Sequence, residues 1–190
     1  MWTIAHDWGS TQAERAMSFP CDRHLPRFDD ALFRAVDVDA SQPVTFRWLC
    51  QLRAAPYSYD WIDNWGRTSP RTLTPGLETL AVGQTDMSIF ELVEFEVDRH
   101  LTLLLRRGRA MFGDVACTYL VAPQSDGTSR IVVKMLVRYP TGPLGWLARY
   151  WLPWGDLVMM RRQLLNLKSL AEGEVRAAAG GPGAAAFAPR

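Results

Sequence analysis

The sequence predicts an α+β domain in which a curved antiparallel sheet of about six or seven strands wraps around one long C-terminal helix. Strand-like segments follow one another between residues 77 and 139 with only short breaks. Such a succession is typical of an antiparallel meander, because parallel strands need long crossover connections. A long helical pattern with one apolar stripe follows the last strand, and the apolar face of the sheet is its natural partner.

The first strand is predicted at residues 31–38, where apolar and polar residues alternate. Two short helical elements follow it. Ser41 is placed to cap the first of them, Pro43 fits a first helical turn, and Pro56 ends it. The aromatic and acidic segment 57–66 then forms either a second short helix or a structured loop.

Two strands of the meander have patterns that indicate their faces. In the last strand, Ile131, Val133 and Met135 share one face and Lys134 lies on the other, which predicts one buried and one solvated face. In an earlier strand, Glu91 interrupts the apolar alternation. This interruption indicates a β-bulge or a solvent-facing edge in preference to a carboxylate inside a cavity. The predicted strands of the meander are 77–82, 87–97, 100–107, 114–121 and 129–139.

The C-terminal helix is predicted to begin at Asp156, which caps its first turn, and to end near Gly173. Pro153 and Gly155 argue against a continuous helix before that point. The apolar stripe recurs at spacings of three and four residues: Leu157, Met160, Leu164, Leu167 and Ala171. The expected organisation is an extended N-terminal arm over residues 1–29, the folded domain over 30–174, and a disordered Ala/Gly/Pro tail over 175–190.

Composition and charge exclude several classes of function. Lys and Arg total 21 and Asp and Glu total 20, so the formal net charge of +1 lacks the basic excess of a nucleic-acid binder. Three widely spaced cysteines without a C-x-x-C pair predict neither a disulfide framework nor a zinc finger, and they favour a cytoplasmic protein. The chain has no secretory leader pattern and no apolar run of about 20 residues, so we expect no stable membrane insertion.

We expect neither a metal site nor a cofactor. The three histidines, His6, His24 and His100, lack the spacing of metal ligands. The chain also lacks a phosphate-binding loop, a dinucleotide fingerprint and a G-x-S-x-G nucleophile motif.

Two segments give the chain a family resemblance. Residues 161–172 have the sequence Arg-Arg-Gln-Leu-Leu-Asn-Leu-Lys-Ser-Leu-Ala-Glu, and residues 33–40, Phe-Arg-Ala-Val-Asp-Val-Asp-Ala, precede a helix that carries Trp48. With the order of elements, they resemble the START-like superfamily, also called SRPBCC, and within it the polyketide cyclase/dehydrase group. The resemblance covers residues 30–174 and implies a helix-grip fold with a ligand cavity between the sheet and the terminal helix. It transfers no catalytic motif.

The residues expected to line such a cavity are apolar or aromatic: Trp48, Tyr57, Tyr59, Trp61, Met87, Ile89, Val133, Met135, Trp146, Met160 and Leu164. The aromatic segment 57–65 either lines the mouth of the pocket or forms a tightly packed turn. A second aromatic cluster comprises Trp146, Tyr150, Trp151 and Trp154. It forms a lid, sits among lipid headgroups, or packs against the end of the sheet, and packing is the favoured interpretation.

Three functions from different classes remain open, for a monomer or a homodimer. The leading hypothesis is the binding of a small hydrophobic or aromatic ligand, lipid or polyketide-like, in the internal cavity. The second is a cyclase or dehydratase-like (aromatase) enzyme that uses the same cavity, with Tyr119, Glu91 and Asp60 as candidate acid–base residues. The third is a regulatory domain whose cavity is filled by its own side chains.

Overall fold

The computed structural model describes residues 4–59 and 68–179. In this part of the chain, seven strands form one sheet: β1 (Asp7–Trp8), β2 (Asp30–Val38), β3 (Thr85–Asp86), β4 (Phe90–Glu96), β5 (His100–Leu105), β6 (Asp114–Pro123) and β7 (Ser129–Arg138). The helices are α1 (Gln12–Ala16), α2 (Cys21–His24), α3 (Gln42–Cys50), α4 (Arg109–Phe112) and α5 (Pro143–Ala179), and a 3-10 turn (Gln51–Arg53) follows α3. The predicted α+β class is confirmed.

The sheet has the strand order β1-β2-β7-β6-β5-β4-β3. Every neighbouring pair is antiparallel except β1 and β2, which are parallel. The meander runs from β3 to β7, and β7 then pairs with β2 over the full length of β2, from Asp30 opposite Val137 to Val38 opposite Ser129. This pairing places the chain that leaves β7 beside β2, the strand against which α5 packs.

A β-bulge interrupts the pairing of β4 with β5 between Leu92 and Glu94. The predicted bulge is therefore confirmed, and it accounts for the broken apolar alternation at Glu91. The predicted strand at 77–82 is wrong, because these residues form turns and β3 begins only at Thr85.

The inner face of the sheet packs against α3 and α5. Alternate residues of β7, such as Ile131 and Val133, point to this face because side chains of a strand alternate between its two sides. From α5, Leu164, Leu167 and Ala171 are buried against them. The apolar stripe in the second half of α5 therefore packs against the inner face of the sheet, as the sequence predicts.

Helix α5 begins earlier than predicted, because it runs without interruption through Pro153 and Gly155. Asp156 is not its cap. The carboxylate instead accepts a hydrogen bond from the buried guanidinium of Arg34 at 2.8 Å, and Arg34 also donates to the carbonyl of Ala5 at 2.7 Å. Burial, opposed by Arg34, raises the pKa of Asp156 to about 6. Although α5 is long, no helix within the described ranges is long and apolar enough to cross a membrane.

The outer face of the sheet is covered in part by residues 4–29, which contain β1, α1 and α2. The backbone N–H of Cys21 donates to Oγ1 of Thr118 at 3.0 Å, and Lys134 pairs with Asp22 at 2.6 Å. The expectation of a solvated outer face is therefore wrong near β6 and β7. The apolar residues buried there are Phe19, Cys21, Leu25, Phe33, Ala35, Ala116, Val132 and Leu136.

Candidate functional site

A cleft of about 320 Å³ opens between the segment after the 3-10 turn and the middle of α5. We call it the α5 cleft. Its lining combines two aromatic rings with polar side chains: Tyr57, Ser58, Tyr59, Thr68, Ser69, Pro70 and Arg71 from the segment, and Arg162, Asn166, Ser169 and Leu170 from α5.

Two amide side chains of α5 fix the segment that forms one wall of this cleft. Nε2 of Gln163 donates to the carbonyl of Pro56 at 2.6 Å, and Nδ2 of Asn166 donates to the carbonyl of Tyr57 at 2.7 Å. Oε1 of Gln163 accepts a hydrogen bond from the hydroxyl of Tyr119 at 2.7 Å. Gln163 therefore joins three elements, since Tyr119 belongs to β6.

Tyr57 has a left-handed backbone conformation with φ of 56°. Non-glycine residues adopt this region rarely, and it costs about 1 kcal/mol or more. The hydrogen bond from Asn166 to the Tyr57 carbonyl, together with burial of the Tyr57 ring, holds the backbone in this form. After this residue the chain reaches Tyr59, which lines the cleft and is only half-buried, whereas Tyr57 is buried.

The electrostatic character of the α5 cleft is cationic. Within the part of the chain that the structure describes, neither Arg71 nor Arg162 has a hydrogen-bond or ion-pair partner. The described lining contains no carboxylate, histidine or cysteine. A guanidinium without a partner can bind a carboxylate or phosphate through two parallel hydrogen bonds. The arrangement therefore suits an acidic group on a ligand whose body contacts the tyrosine rings.

The structure brings the predicted lining residues to two different places. Tyr57 and Tyr59 line the α5 cleft. Most of the others belong to the packed core between sheet and helix: Trp48, Val133, Met135, Met160 and Leu164 are buried there, with Met87 and Ile89 packed at its margin.

Two of the predicted lining residues are completely enclosed by their neighbours. Val133 and Leu164 are both 0% exposed. Trp48 is also occupied, since its ring N–H donates to Glu174 at 2.8 Å. Trp146 lies apart from this group on the protein surface, with 76% of it exposed. Trp61 lies outside the described residues.

The three candidate acid–base residues do not converge. Tyr119 is buried in the core, and burial raises its pKa well above the usual value. Glu91 forms a surface ion pair with Arg106, with oxygen–nitrogen distances of 2.7 and 3.0 Å, and these hydrogen bonds lower its pKa. Asp60 lies outside the described residues. Across residues 4–59 and 68–179, no three His, Cys, Asp or Glu side chains are grouped as metal ligands would be.

Sequence reasoning missed Arg71, Arg162 and Asn166 as residues of the site. Arg162 and Asn166 lie within the segment 161–172 that carries the family resemblance, four residues apart and hence on one helix face. That spacing was the available signal. Arg71 gives no such signal, because nothing in the order of residues predicts that its loop reaches α5.

A second cleft, of about 270 Å³, lies on the outer side of the sheet next to α4, and we call it the arginine cleft. Four arginines and a histidine line it with a single carboxylate, Asp114, which pairs with Arg109 and Arg138. The lining residues are His24, Leu25, Pro26, Arg27, Leu104, Leu105, Arg106, Arg109, Asp114, Val115 and Arg138.

No protein-family model matches the chain, and no curated protein matches it. Solved structures share its fold. The hypothetical protein jhp0584 from Helicobacter pylori has a TM-score of 0.52 and 16% identity over 82% of this chain and 96% of its own. A protein from Thermobifida fusca has a TM-score of 0.52 and 15% identity over 74% of this chain and 92% of its own.

The di-domain ARO/CYC StfQ from the steffimycin biosynthetic pathway has a TM-score of 0.53 and 12% identity over 82% of this chain. The chain spans only 55% of that protein, which is about half its length. At these identities, the likeness to all three proteins shows the fold alone. It is consistent with the predicted helix-grip architecture of a sheet wrapped around a terminal helix.

Proposed function

We propose that the protein binds a small aromatic or lipid-like molecule that carries an acidic group, and that the α5 cleft is its site. The observation that supports this proposal is that one cleft combines the half-buried ring of Tyr59 with the guanidinium groups of Arg71 and Arg162, which have no partner among the described residues. The cleft volume of about 320 Å³ lies at the small end of the range for ligand pockets, so a ligand of one or two rings fits best.

The chemistry of the lining favours this ligand class over a purely apolar one. Tyr59, which is only half-buried, presents aromatic surface on which a flat ring can pack, and the buried Tyr57 ring lies behind the wall of the cleft. Arg71 and Arg162 provide donors for a carboxylate or an enolate. Asn166 already uses its amide N–H on the Tyr57 carbonyl, which leaves its side-chain oxygen toward a ligand hydroxyl.

Binding is better supported than catalysis. A cyclase or dehydratase needs a proton donor and a base within reach of the same ligand. The described lining offers hydroxyl and guanidinium donors but no base. StfQ is an ARO/CYC, so a polyketide-like acid is the first ligand to test. The cyclase activity that the family resemblance implies stays a prediction.

The test is isothermal titration with 2-naphthoate and its neutral methyl ester, on the wild type and on the double variant Arg71→Gln/Arg162→Gln. We expect the acid to bind more tightly than the ester, and the double variant to lose roughly tenfold or more in affinity for the acid, since a charge-assisted hydrogen bond contributes about 1.5–3 kcal/mol.

Arg161→Gln is the matched control. It removes one positive charge next to Arg162, where the double variant removes two, and its guanidinium lies over the ring of Trp8 and not in the cleft. Equal losses in Arg161→Gln and the double variant would show a non-specific charge effect. Equal affinity for acid and ester would contradict the role given to the arginines.

A further inference from the structure

The first half of α5 exposes an apolar surface to solvent. Trp146, Tyr150 and Trp151 are 76%, 71% and 64% exposed. At 100° per residue, the exposed apolar residues of this half occupy an arc of roughly 160° over a length of about 21 Å. We call this surface the aromatic face; it comprises Leu144, Trp146, Leu147, Tyr150, Trp151, Trp154 and Val158.

The aromatic face continues beyond α5. Helix α4 packs against α5 and exposes two more apolar side chains, Met111 and Phe112. Isolated exposed apolar residues are common on protein surfaces, but a contiguous group of this size marks an interaction site. Its composition narrows the kind of partner, because Trp and Tyr combine an apolar ring with a polar N–H or O–H.

The charged groups around the aromatic face are predominantly cationic. From Pro143 to Ser169, the exposed charged residues of α5 are Arg149, Arg161 and Arg162, and the single acid of this stretch, Asp156, is turned to the buried Arg34. Lys168 is half-buried and pairs with Glu172. The segment before the apolar residues of α4 contains Arg106, Arg107 and Arg109.

The nearby carboxylates offset only part of this charge. Asp29 is held by Arg149, Glu91 by Arg106, and Asp114 by Arg109 and Arg138. Arg107 has no ion-pair partner within the described ranges, and the arginine cleft adjoins α4, so the cationic charge extends around this end of the molecule.

We propose that the aromatic face docks the protein on the surface of a lipid bilayer that contains anionic headgroups. Helix α5 then lies parallel to the surface, with its Trp and Tyr side chains at headgroup depth and its arginines beside the lipid phosphates. Helices with an apolar aromatic side and basic flanks bind membranes in this way, without crossing them. The absence of a spanning helix among the described residues agrees with surface docking.

Charge favours a bilayer over a second copy of this chain as the occupant. In a two-fold dimer the same surface meets itself, so the arginines around one aromatic face would approach those around the other. Like charges brought together in an interface are unfavourable. An anionic bilayer offers the complementary charge to those arginines that have no carboxylate partner within the described ranges.

The test is flotation of the full chain with two kinds of vesicle, phosphatidylcholine alone and phosphatidylcholine with about 30% phosphatidylglycerol. We expect strong binding only to the anionic vesicles, and release at about 0.5 M salt, because salt screens the arginine–phosphate attraction. The double variant Trp146→Ser/Trp151→Ser should lower the partition coefficient roughly tenfold or more, since two exposed rings no longer leave water.

The matched control is Val82→Ser/Val97→Ser, which removes two equally exposed apolar side chains outside the aromatic face and should bind as the wild type does. Sedimentation equilibrium of the same proteins tests the alternative occupant. Wild-type binding by the tryptophan variant would overturn the proposal. A wild-type dimer that the tryptophan variant converts to a monomer would also overturn it, in favour of self-association.

Vesicle binding and ligand binding are separable, because the α5 cleft and the aromatic face share no residue. Arg71→Gln, which removes a residue of the cleft that is not among the cations around the aromatic face, should weaken 2-naphthoate binding and still float with anionic vesicles. The tryptophan variant should show the reverse.

Discussion

Gln163 joins the sheet, helix α5 and the wall of the α5 cleft, so its replacement should lower the free energy of unfolding. In Gln163→Leu, the buried hydroxyl of Tyr119 loses its acceptor and the carbonyl of Pro56 loses its donor. A buried polar group left without its partner costs about 1–3 kcal/mol. We therefore expect the variant to lose about 2–5 kcal/mol of unfolding free energy.

The coupling between Gln163 and Tyr119 separates this mechanism from a simple packing defect. Tyr119→Phe alone should cost about 1–2 kcal/mol, since Oε1 of Gln163 is then unpaired. In the double variant Tyr119→Phe/Gln163→Leu, both the hydroxyl and its acceptor are gone, so neither is buried without a hydrogen-bond partner. The loss of unfolding free energy in the double variant should therefore be about 1–2 kcal/mol smaller than the sum of the losses in the two single variants.

Urea unfolding, followed by circular dichroism, measures all three values. Gln42→Leu provides the control, because Gln42 also donates to a backbone carbonyl of β6, that of Val121, and has no hydrogen bond with Tyr119. Its combination with Tyr119→Phe should be additive within about 0.5 kcal/mol. If the free-energy losses of Gln163→Leu and Tyr119→Phe were also additive within about 0.5 kcal/mol, the energetic coupling of Gln163 to Tyr119 would be refuted.

Three other predictions test how helix α5, the N-terminal arm and the core are built. Gly145→Ala should lower the free energy of unfolding by at least about 2 kcal/mol, because the added Cβ would lie 1.6 Å from a carbonyl oxygen just before α5. The Cβ of Gly155→Ala meets open space, so this variant should raise the free energy of unfolding by about 0.5–1 kcal/mol. Thermal melts that rank the two variants the other way would contradict this expectation. Burial raises the pKa of Glu14, but hydrogen bonds, chiefly from Arg130, lower it overall, so the carboxylate stabilises the fold above about pH 4.5 and loses this effect as the pH falls further. The difference in unfolding free energy between wild type and Glu14→Gln should accordingly shrink on acidification, and a difference that grows would be the wrong sign. All three cysteines are buried with raised thiol pKa values, so Ellman's reagent should label the native protein at about pH 8 hardly at all and label every thiol after denaturation.

The sheet was the part most accessible to prediction, because a strand buried on one face has a two-residue period. The alternation in β7 gave its inner residues correctly, and the interruption at Glu91 correctly indicated a bulge. The solvated outer face was mispredicted near Lys134, whose charge is paired with Asp22 and covered by the N-terminal arm. Alternation reports polarity, and it does not show which polar residue has a partner from elsewhere in the chain.

The start of α5 was mispredicted because local preference and tertiary structure disagree there. Pro153 costs a helix about 3 kcal/mol in isolation, and Gly155 adds about 1 kcal/mol. In the folded protein, Pro153 is buried, and Asp156 is tied to Arg34 across the boundary between helix and sheet. These contacts join residues more than 100 positions apart, so no window of the sequence contains them.

The candidate site was half predictable. The unusual density of aromatic residues pointed to Tyr57 and Tyr59, and both line the α5 cleft. Val133 and Leu164, which were expected to line a central cavity, are fully buried in the core. Apolar composition cannot distinguish these outcomes, since residues that line a cavity and residues that fill a core have the same preference for burial.

The two halves of α5 differ in what their side chains contribute to folding. The second half buries a stripe that includes Leu164, Leu167 and Ala171. The first half buries Gly145, Leu157 and Met160 and contains Asp156, which pairs with the buried Arg34, while its largest rings face water. Exposed rings gain no burial on folding, and a buried ion pair is weak support for stability. The stability of the fold therefore does not explain the exposed aromatic residues of the first half. For this reason we assign them to docking on an anionic bilayer.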